Sequence, residues 1–142
     1  MSPDNPPANR FRLKCLDHIV LRANDADRLV RFYVEVLGCR VERELPELGL
    51  IQLRAGSSLI DVVPVTGALG RRGGRGPGPE GRNLEHFCLL VEGVSRDALR
   101  EHLRTHGVDH TDFDRRYGAT GYGDSLYVED PESNVVELKL HD

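Results

Sequence analysis

Cysteine is scarce in this sequence, and its spacing excludes the usual structural uses. The three cysteines, Cys15, Cys39 and Cys88, are an odd number, and no two of them stand in a CxxC pattern. They therefore indicate neither a disulfide framework nor a thiolate zinc site. We expect Cys88, within the apolar run FCLLV, to be a small core residue and the other two to be structural or neutral.

Long apolar runs and a surplus of basic residues are also missing. No stretch approaches the roughly 18–20 apolar residues of a membrane-spanning helix, and the polar N-terminus lacks the apolar segment of a secretory signal. Lys and Arg number 19 against 23 Asp and Glu, for a net charge of −4. Such a surface is not generally attracted to nucleic acid or anionic lipid. We therefore expect a cytoplasmic protein with neither partner.

The 142 residues are enough for one domain or for two small halves that share a core. We predict a flexible N-terminal arm over residues 1–12 and a single domain over 13–142. In its first module, 13–65, a strand at LDHIVLR precedes a helix that is capped by Asn24-Asp25 and ends at Gly38. Three strands follow, near Arg40–Glu44, Leu48–Arg54 and Ser58–Pro64.

The same order of elements appears a second time after a connector. Residues 66–83 are rich in Gly and Arg and have no apolar stripe, which indicates a flexible linker. In module 84–142, a strand at LEHFCLLV precedes a helix capped by Ser95 and closed by Gly107. Strands are then predicted near Val108–Arg116, Ser125–Glu129 and Val135–Leu140. The pattern predicts an α+β fold made of two tandem βαβββ modules that form a curved mixed sheet.

Each module carries one histidine on its first strand and one carboxylate on its last strand. Because strand side chains alternate between two faces, His18 and Asp61 point away from the helix-covered face of the first module. His86 and Glu137 have the same parity in the second. Imidazole and carboxylate ligands suit Zn, Ni, Fe, Mn or Co, and three or four of them leave positions open for substrate. We therefore predict one divalent transition metal held by these four residues.

The segments LDHIVL, LEHFCLLV, FYVEVLG and SLYVEDPESNVVELK together resemble the vicinal oxygen chelate superfamily. This superfamily includes glyoxalases, extradiol dioxygenases, fosfomycin-resistance transferases, epimerases and bleomycin-binding proteins. The resemblance runs from Leu16 to Leu140 and implies metal ligands at His18, Asp61, His86 and Glu137. The segment RYGATG is similar to a branch known as glyoxalase domain-containing proteins.

The resemblance implies a glyoxalase-like lyase or isomerase that acts on a small substrate with two adjacent oxygens through an enediolate. Glu137 is our candidate for the catalytic base, because it lies beside the predicted metal. Arg116 is a candidate partner for a substrate carboxylate or phosphate, and Tyr127 and Gln52 have the parity of residues that line the pocket.

Two other functions remain open at this stage. Glyoxalases generally have a Glu or His-class ligand at the position of Asp61, and Asp is one methylene shorter than Glu. Without Asp61, the remaining His18, His86 and Glu137 form the facial triad of non-haem iron oxygenases. An extradiol-type dioxygenase is therefore one alternative, and a protein that binds a small molecule such as an antibiotic is another. The modules pair either within one chain or between two chains, and we expect a homodimer.

Overall fold

The computed structural model describes residues 11–141. The arm predicted over residues 1–12 lies outside the described residues except for its last two positions. Among the described residues, no helix is long and apolar enough to cross a membrane.

The first module has the predicted order of strand, helix and three strands. Its elements are β1 (His18–Ala23), α1 (Ala26–Arg31), β2 (Arg40–Leu45), β3 (Leu50–Ala55) and β4 (Ser58–Pro64). The strands form a four-stranded sheet in the order β1-β4-β3-β2, with β1 and β4 parallel and the other pairs antiparallel. A π-helical turn, Phe32–Val36, continues α1, so the predicted helix is two segments.

The second module repeats this arrangement. It consists of β5 (Phe87–Val91), α2 (Arg96–Thr105), β6 (Asp114–Gly118), β7 (Gly121–Glu129) and β8 (Val135–Leu140). The sheet order is β5-β8-β7-β6, again with one parallel pair, β5 and β8. The tandem βαβββ fold and the α+β class are thus confirmed, in two four-stranded sheets.

The strand bounds differ from the prediction at the β6–β7 hairpin. Strand β6 begins at Asp114, six residues later than predicted, and β7 begins at Gly121, four residues earlier. The glycines at 118, 121 and 123 interrupt the apolar–polar alternation by which strands are predicted, so the sequence pattern does not show the full extent of this hairpin. Gly118 and Gly123 also have Lys139 side-chain atoms within 3.1 Å and 2.9 Å of where a Cβ would lie.

Both helices begin at the side-chain caps that the sequence predicts. Asp25 Oδ1 accepts a hydrogen bond from the Arg28 amide at 3.1 Å, and Ser95 Oγ accepts one from the Ala98 amide at 3.1 Å. Apolar residues of each helix, Leu29 and Leu103 among them, are fully buried. They join one face of each sheet in a single core cluster that spans both modules. We call the opposite face of each sheet, which carries the alternate residues, its open face.

A buried hydrogen-bond network connects the two modules. The Tyr33 hydroxyl, from the π-helical turn, donates to Asp130 Oδ2 at 2.7 Å, and Asn134 Nδ2 donates to the same oxygen at 2.9 Å. The backbone amides of Glu132 and Asn134 both donate to Asp130 Oδ1. Asp130 is only 4% exposed, and burial raises its pKa even though these donors act in the other direction.

The connector predicted over residues 66–83 is held against the first strand. The Arg22 guanidinium donates to the carbonyl oxygens of Gly70, Gly74 and Arg75, and Asn24 Nδ2 donates to Pro77 O at 3.0 Å. A Cβ at position 70 would lie 1.8 Å from Pro64 O, so this close approach of two backbones requires glycine.

Replacement of Tyr33 by Phe should destabilise the protein by about 1–3 kcal/mol, because it leaves the buried Asp130 carboxylate short of one donor. The free energy of unfolding in urea measures the loss. Tyr117→Phe, at a position 75% exposed, is the control and should change stability by less than about 0.5 kcal/mol. Equal stabilities of the two variants would contradict the structural importance of this network.

Candidate metal centre in two halves

The first half of the candidate site lies on the open face of the β1–β4 pair. His18 begins β1, and Asp61 lies on β4 opposite Val20. The imidazole is about half exposed, whereas Asp61 is 3% exposed. A hydrogen bond with Asp17 raises the pKa of His18, and the charge of Asp61 acts in the same direction. The two predicted ligands of this module are therefore electrostatic neighbours.

The two oxygens of Asp61 have different surroundings. Gln52 Nε2 donates to Oδ2 at 3.1 Å. Oδ1 is buried and has no hydrogen-bond partner among the described residues. A buried carboxylate oxygen without a donor is costly unless a cation or a water satisfies it. Asp61 therefore presents one bare oxygen that suits a metal ion.

The second half lies at the equivalent place on the other sheet. His86 immediately precedes β5, and its Nε2 is 3.4 Å from Oε1 of Glu137 on β8. Ser125 Oγ donates to Glu137 Oε2 at 2.7 Å, and the Tyr127 hydroxyl donates to Oε1 at 3.1 Å. Burial alone would raise the pKa of Glu137, but the hydrogen bonds from Ser125 and Tyr127 hold it below its usual value. Glu137 is therefore a carboxylate at neutral pH.

Both histidines are oriented by the acidic residue that precedes them. His18 Nδ1 is 2.8 Å from an Asp17 carboxylate oxygen, and His86 Nδ1 contacts the carboxylate of Glu85 in the same way. With Nδ1 engaged by a carboxylate, Nε2 is the atom left to bind a metal, as in carboxylate–histidine–metal arrangements. Asp17 and Glu85 were not among the predicted site residues, although the DH and EH pairs within LDHIVL and LEHFCLLV were a signal for them.

The structure brings the four predicted ligands together as two pairs. His18 neighbours Asp61, and His86 neighbours Glu137. Within residues 11–141, no three His, Cys, Asp or Glu side chains form a group that could hold a metal ion. Coordination by all four residues within a single chain is therefore not what this structure displays, and their role as ligands remains a prediction.

The three predicted substrate-binding residues contact other protein groups. A hydrogen bond to Tyr127 raises the pKa of the Arg116 guanidinium, and the Asp114 carboxylate, 3.1 Å away, adds to this shift. Gln52 accepts a hydrogen bond from Arg43 and donates one to Asp61. Gln52 and Tyr127 lie on strands next to those that carry Asp61 and Glu137, whereas Arg116 lies one strand further out, on β6.

Cys88 is not the core residue that the sequence led us to expect. It lies on β5 directly opposite Glu137, and it is exposed. The alternation of strand side chains places it with His86 on the open face, although its neighbours in FCLLV are apolar. Partial burial, followed by the charge of Glu137, raises the pKa of its thiol to about 11. It is therefore a neutral thiol at neutral pH.

The comparisons with known proteins agree with this architecture. The family model described as Glyoxalase/Bleomycin resistance protein/Dioxygenase superfamily matches residues 15–138. The chain belongs to this superfamily.

Individual relatives are distant. The chain is 27% identical over 139 residues to the glyoxalase domain-containing protein RDO1 of Mycosarcoma maydis, covering 93% of this chain and 71% of that protein. The crystal structure of virulence protein STM3117 from Salmonella typhimurium superposes with a TM-score of 0.71 at 21% identity, covering 93% of this chain and 100% of that one. The crystal structure of lactoylglutathione lyase from Agrobacterium tumefaciens superposes with a TM-score of 0.61 at 18% identity, covering 96% of each chain. At these identities the two structures show a shared fold.

Replacement of Ser125 by Ala should raise the pKa of Glu137, because one of the donors that stabilise its ionised form is lost. A carboxyl-carbon NMR titration measures the shift, and Ser58→Ala, at the start of β4, is the control. A lowered native-state pKa stabilises the fold above the unfolded-state pKa, and this contribution disappears as the pH falls through the native value. The stability difference between wild type and Ser125→Ala should therefore shrink on acidification. An unchanged titration would show that the Ser125 contact does not act on Glu137.

Proposed function

We propose that this protein is a metal-dependent lyase or isomerase that acts on a small substrate with two adjacent oxygens through an enediolate-type intermediate. The observation that carries the proposal is the pair of matched half-sites, each with an oriented imidazole and a buried carboxylate at repeat-equivalent strand positions. Membership of a superfamily that includes such enzymes supports it.

The residues present fit a divalent transition metal. Asp61 Oδ1 is a buried acceptor without a donor, and each imidazole has Nδ1 against a carboxylate, which leaves Nε2 for a metal. Two imidazoles and two carboxylates are a donor set for Zn, Ni, Fe, Mn or Co. The metal would hold the substrate oxygens and stabilise the negative charge that develops on them.

In this proposal Glu137 transfers the proton. Its carboxylate takes the proton from the hydroxyl-bearing carbon next to the carbonyl and returns it to the former carbonyl carbon. The hydroxyl proton passes to the former carbonyl oxygen, so that the carbonyl and hydroxyl groups exchange places. The hydroxyl groups of Ser125 and Tyr127 fix the orientation of the carboxylate. Arg116, on the open face beside Tyr127, binds an anionic group of the substrate.

A complete site would need two copies of the chain. One chain presents two ligands on each of two sheets, and no described group contains three of them. Strands β1 and β5 are each at an edge of their sheet, and they expose Val20 and Leu90 on the open faces. The outer edge of β1 is occupied at Arg22, whose backbone amide and carbonyl are hydrogen-bonded to the Asn83 side chain. The edge of β1 beside Val20 and the edge of β5 beside Leu90 suit a second strand. We therefore propose a homodimer in which His18 and Asp61 of one copy meet His86 and Glu137 of the other.

Elemental analysis of protein purified without chelator or affinity tag tests the metal site. We expect about one transition metal per chain. His86→Ala should lose it, whereas His106→Ala, at the residue that follows α2, should retain it. Nickel or zinc would direct the activity assays to hemithioacetal isomerisation, and iron to catechol oxygenation. No metal in the wild type, and none taken up on reconstitution, would overturn the proposal and favour a binding protein.

A mixing experiment tests the composite site. The variants His18→Ala/Asp61→Ala and His86→Ala/Glu137→Ala should each bind no metal. When they are unfolded together and refolded, mixed dimers should regain one intact site per two chains, because each variant supplies the half that the other lacks. Metal bound per chain, compared with each variant refolded alone, is the measurement. No regain in a mixture shown to contain mixed dimers would place the site within one chain.

A further inference from the structure

A line of polar contacts crosses the open face of the first sheet and ends at Asp61. Arg43 on β2 donates from Nε to Gln52 Oε1 on β3. Gln52 Nε2 donates to Asp61 Oδ2 on β4 at 3.1 Å. The three residues are directly opposite one another in the sheet, with Arg43 paired to Gln52 and Gln52 paired to Asp61. We call this line the Arg43 relay.

The relay depends on an irregularity in β2. Val41 is paired with Leu53, but Arg43, and not Glu42, is paired with Gln52. The extra residue is a β-bulge. Without it, Arg43 would lie opposite Ile51 and would point to the other face of the sheet. The bulge therefore brings a guanidinium into line with the amide that contacts a candidate metal ligand.

The chemistry of the three groups permits one arrangement. A guanidinium only donates hydrogen bonds and an ionised carboxylate only accepts them, so the amide oxygen of Gln52 faces Arg43 and its NH2 faces Asp61. Each end of the amide is then occupied. Arg43 removes the rotational freedom that Gln52 would have if only its NH2 were bound. The result is that Asp61 Oδ2 has a fixed donor and Oδ1 has none.

We propose that Arg43 is a positioning residue for the metal centre: through Gln52, it fixes the carboxylate of Asp61 and leaves Oδ1 as the oxygen that would bind the metal. This inference rests on the proposed function. Because Asp is a short ligand, its carboxylate has little reach of its own, and its orientation decides whether Oδ1 coordinates. Gln52, first considered as a substrate contact, is the link between Arg43 and Asp61.

The test is the affinity of the metal-free protein for Co²⁺ and Zn²⁺, measured by competition with a chelating indicator and without any substrate. Arg43→Met keeps most of the aliphatic stem and removes the donors. We expect it to weaken metal binding about 10-fold or more, the usual effect of losing a group that supports a ligand. Gln52→Met should do the same. The double variant should bind metal about as tightly as the weaker-binding of the two single variants, because both substitutions break the same relay.

Arg104→Met is the matched control. Arg104 is on α2 of the other module, and its exposed guanidinium pairs with Glu101, 2.5 Å away. Its loss should leave the metal dissociation constant within about 2-fold of the wild type, as expected for an exposed ion pair outside the sheet that carries the relay. Arg43→Lys, which retains a donor for the amide oxygen, should recover part of the affinity.

The outcomes separate this inference from the proposed function. Wild-type metal binding with unchanged affinity in Arg43→Met would overturn the relay and leave the metal centre in place. Failure of the wild type to bind either metal would overturn both. If Arg43→Met does not fold, as judged by circular dichroism, the metal affinity of Gln52→Met tests the relay instead, because this substitution removes the middle residue. An equal loss in Arg104→Met would show a general effect of charge and would also overturn the inference.

Discussion

The carboxylate of Asp130 is the contact on which the arrangement of the two modules depends. It sits in the turn between β7 and β8, yet it accepts a hydrogen bond from Tyr33 of the first module. Both of its oxygens are saturated by the Tyr33 hydroxyl, the Asn134 side chain and two backbone amides. These donors offset the cost of burying the carboxylate. The same turn supplies Glu132, whose carboxylate accepts from the amides of Asn24 and Asp25 ahead of the first helix.

This connection determines which faces of the sheets are available for chemistry. With the first helix tied to the β7–β8 turn, apolar side chains of both helices pack with one face of each sheet in a shared core. The polar residues of alternate strand positions are left on the open faces. His18 and Asp61 therefore share one open face, and His86 and Glu137 share the other. The division into two half-sites thus follows from how the modules pack.

The two halves support their carboxylates in different ways. Glu137 receives a hydroxyl donor on each oxygen, from Ser125 and Tyr127. Asp61 receives one amide donor from Gln52, and its second oxygen is bare. The longer side chain has the reach to engage several partners, whereas the shorter one depends on its neighbour across the strand. The repeat is therefore approximate in chemistry although it is regular in topology.

Local sequence patterns were enough to predict the strands, the helices and the faces of the candidate ligands. Strand alternation, the caps Asp25 and Ser95, and the repeated histidine and carboxylate are patterns that can be recognised in the amino-acid sequence alone. The same patterns missed the early start of β7, the exposure of Cys88 and the donors Ser125 and Arg43. A glycine-rich hairpin has no apolar alternation, and a hydrogen-bond partner across a sheet depends on register.

The sequence by itself therefore determined the tandem βαβββ order, the family resemblance and the placement of one imidazole and one carboxylate on each open face. The tertiary structure decided that these four residues form two pairs, that Ser125 and Tyr127 both donate to Glu137, and that one oxygen of Asp61 is bare. The physical reason is the separation in sequence of the residues that interact. Alternation and capping act between residues near in sequence, whereas bulges, cross-strand contacts and module packing join residues that only the folded chain brings together.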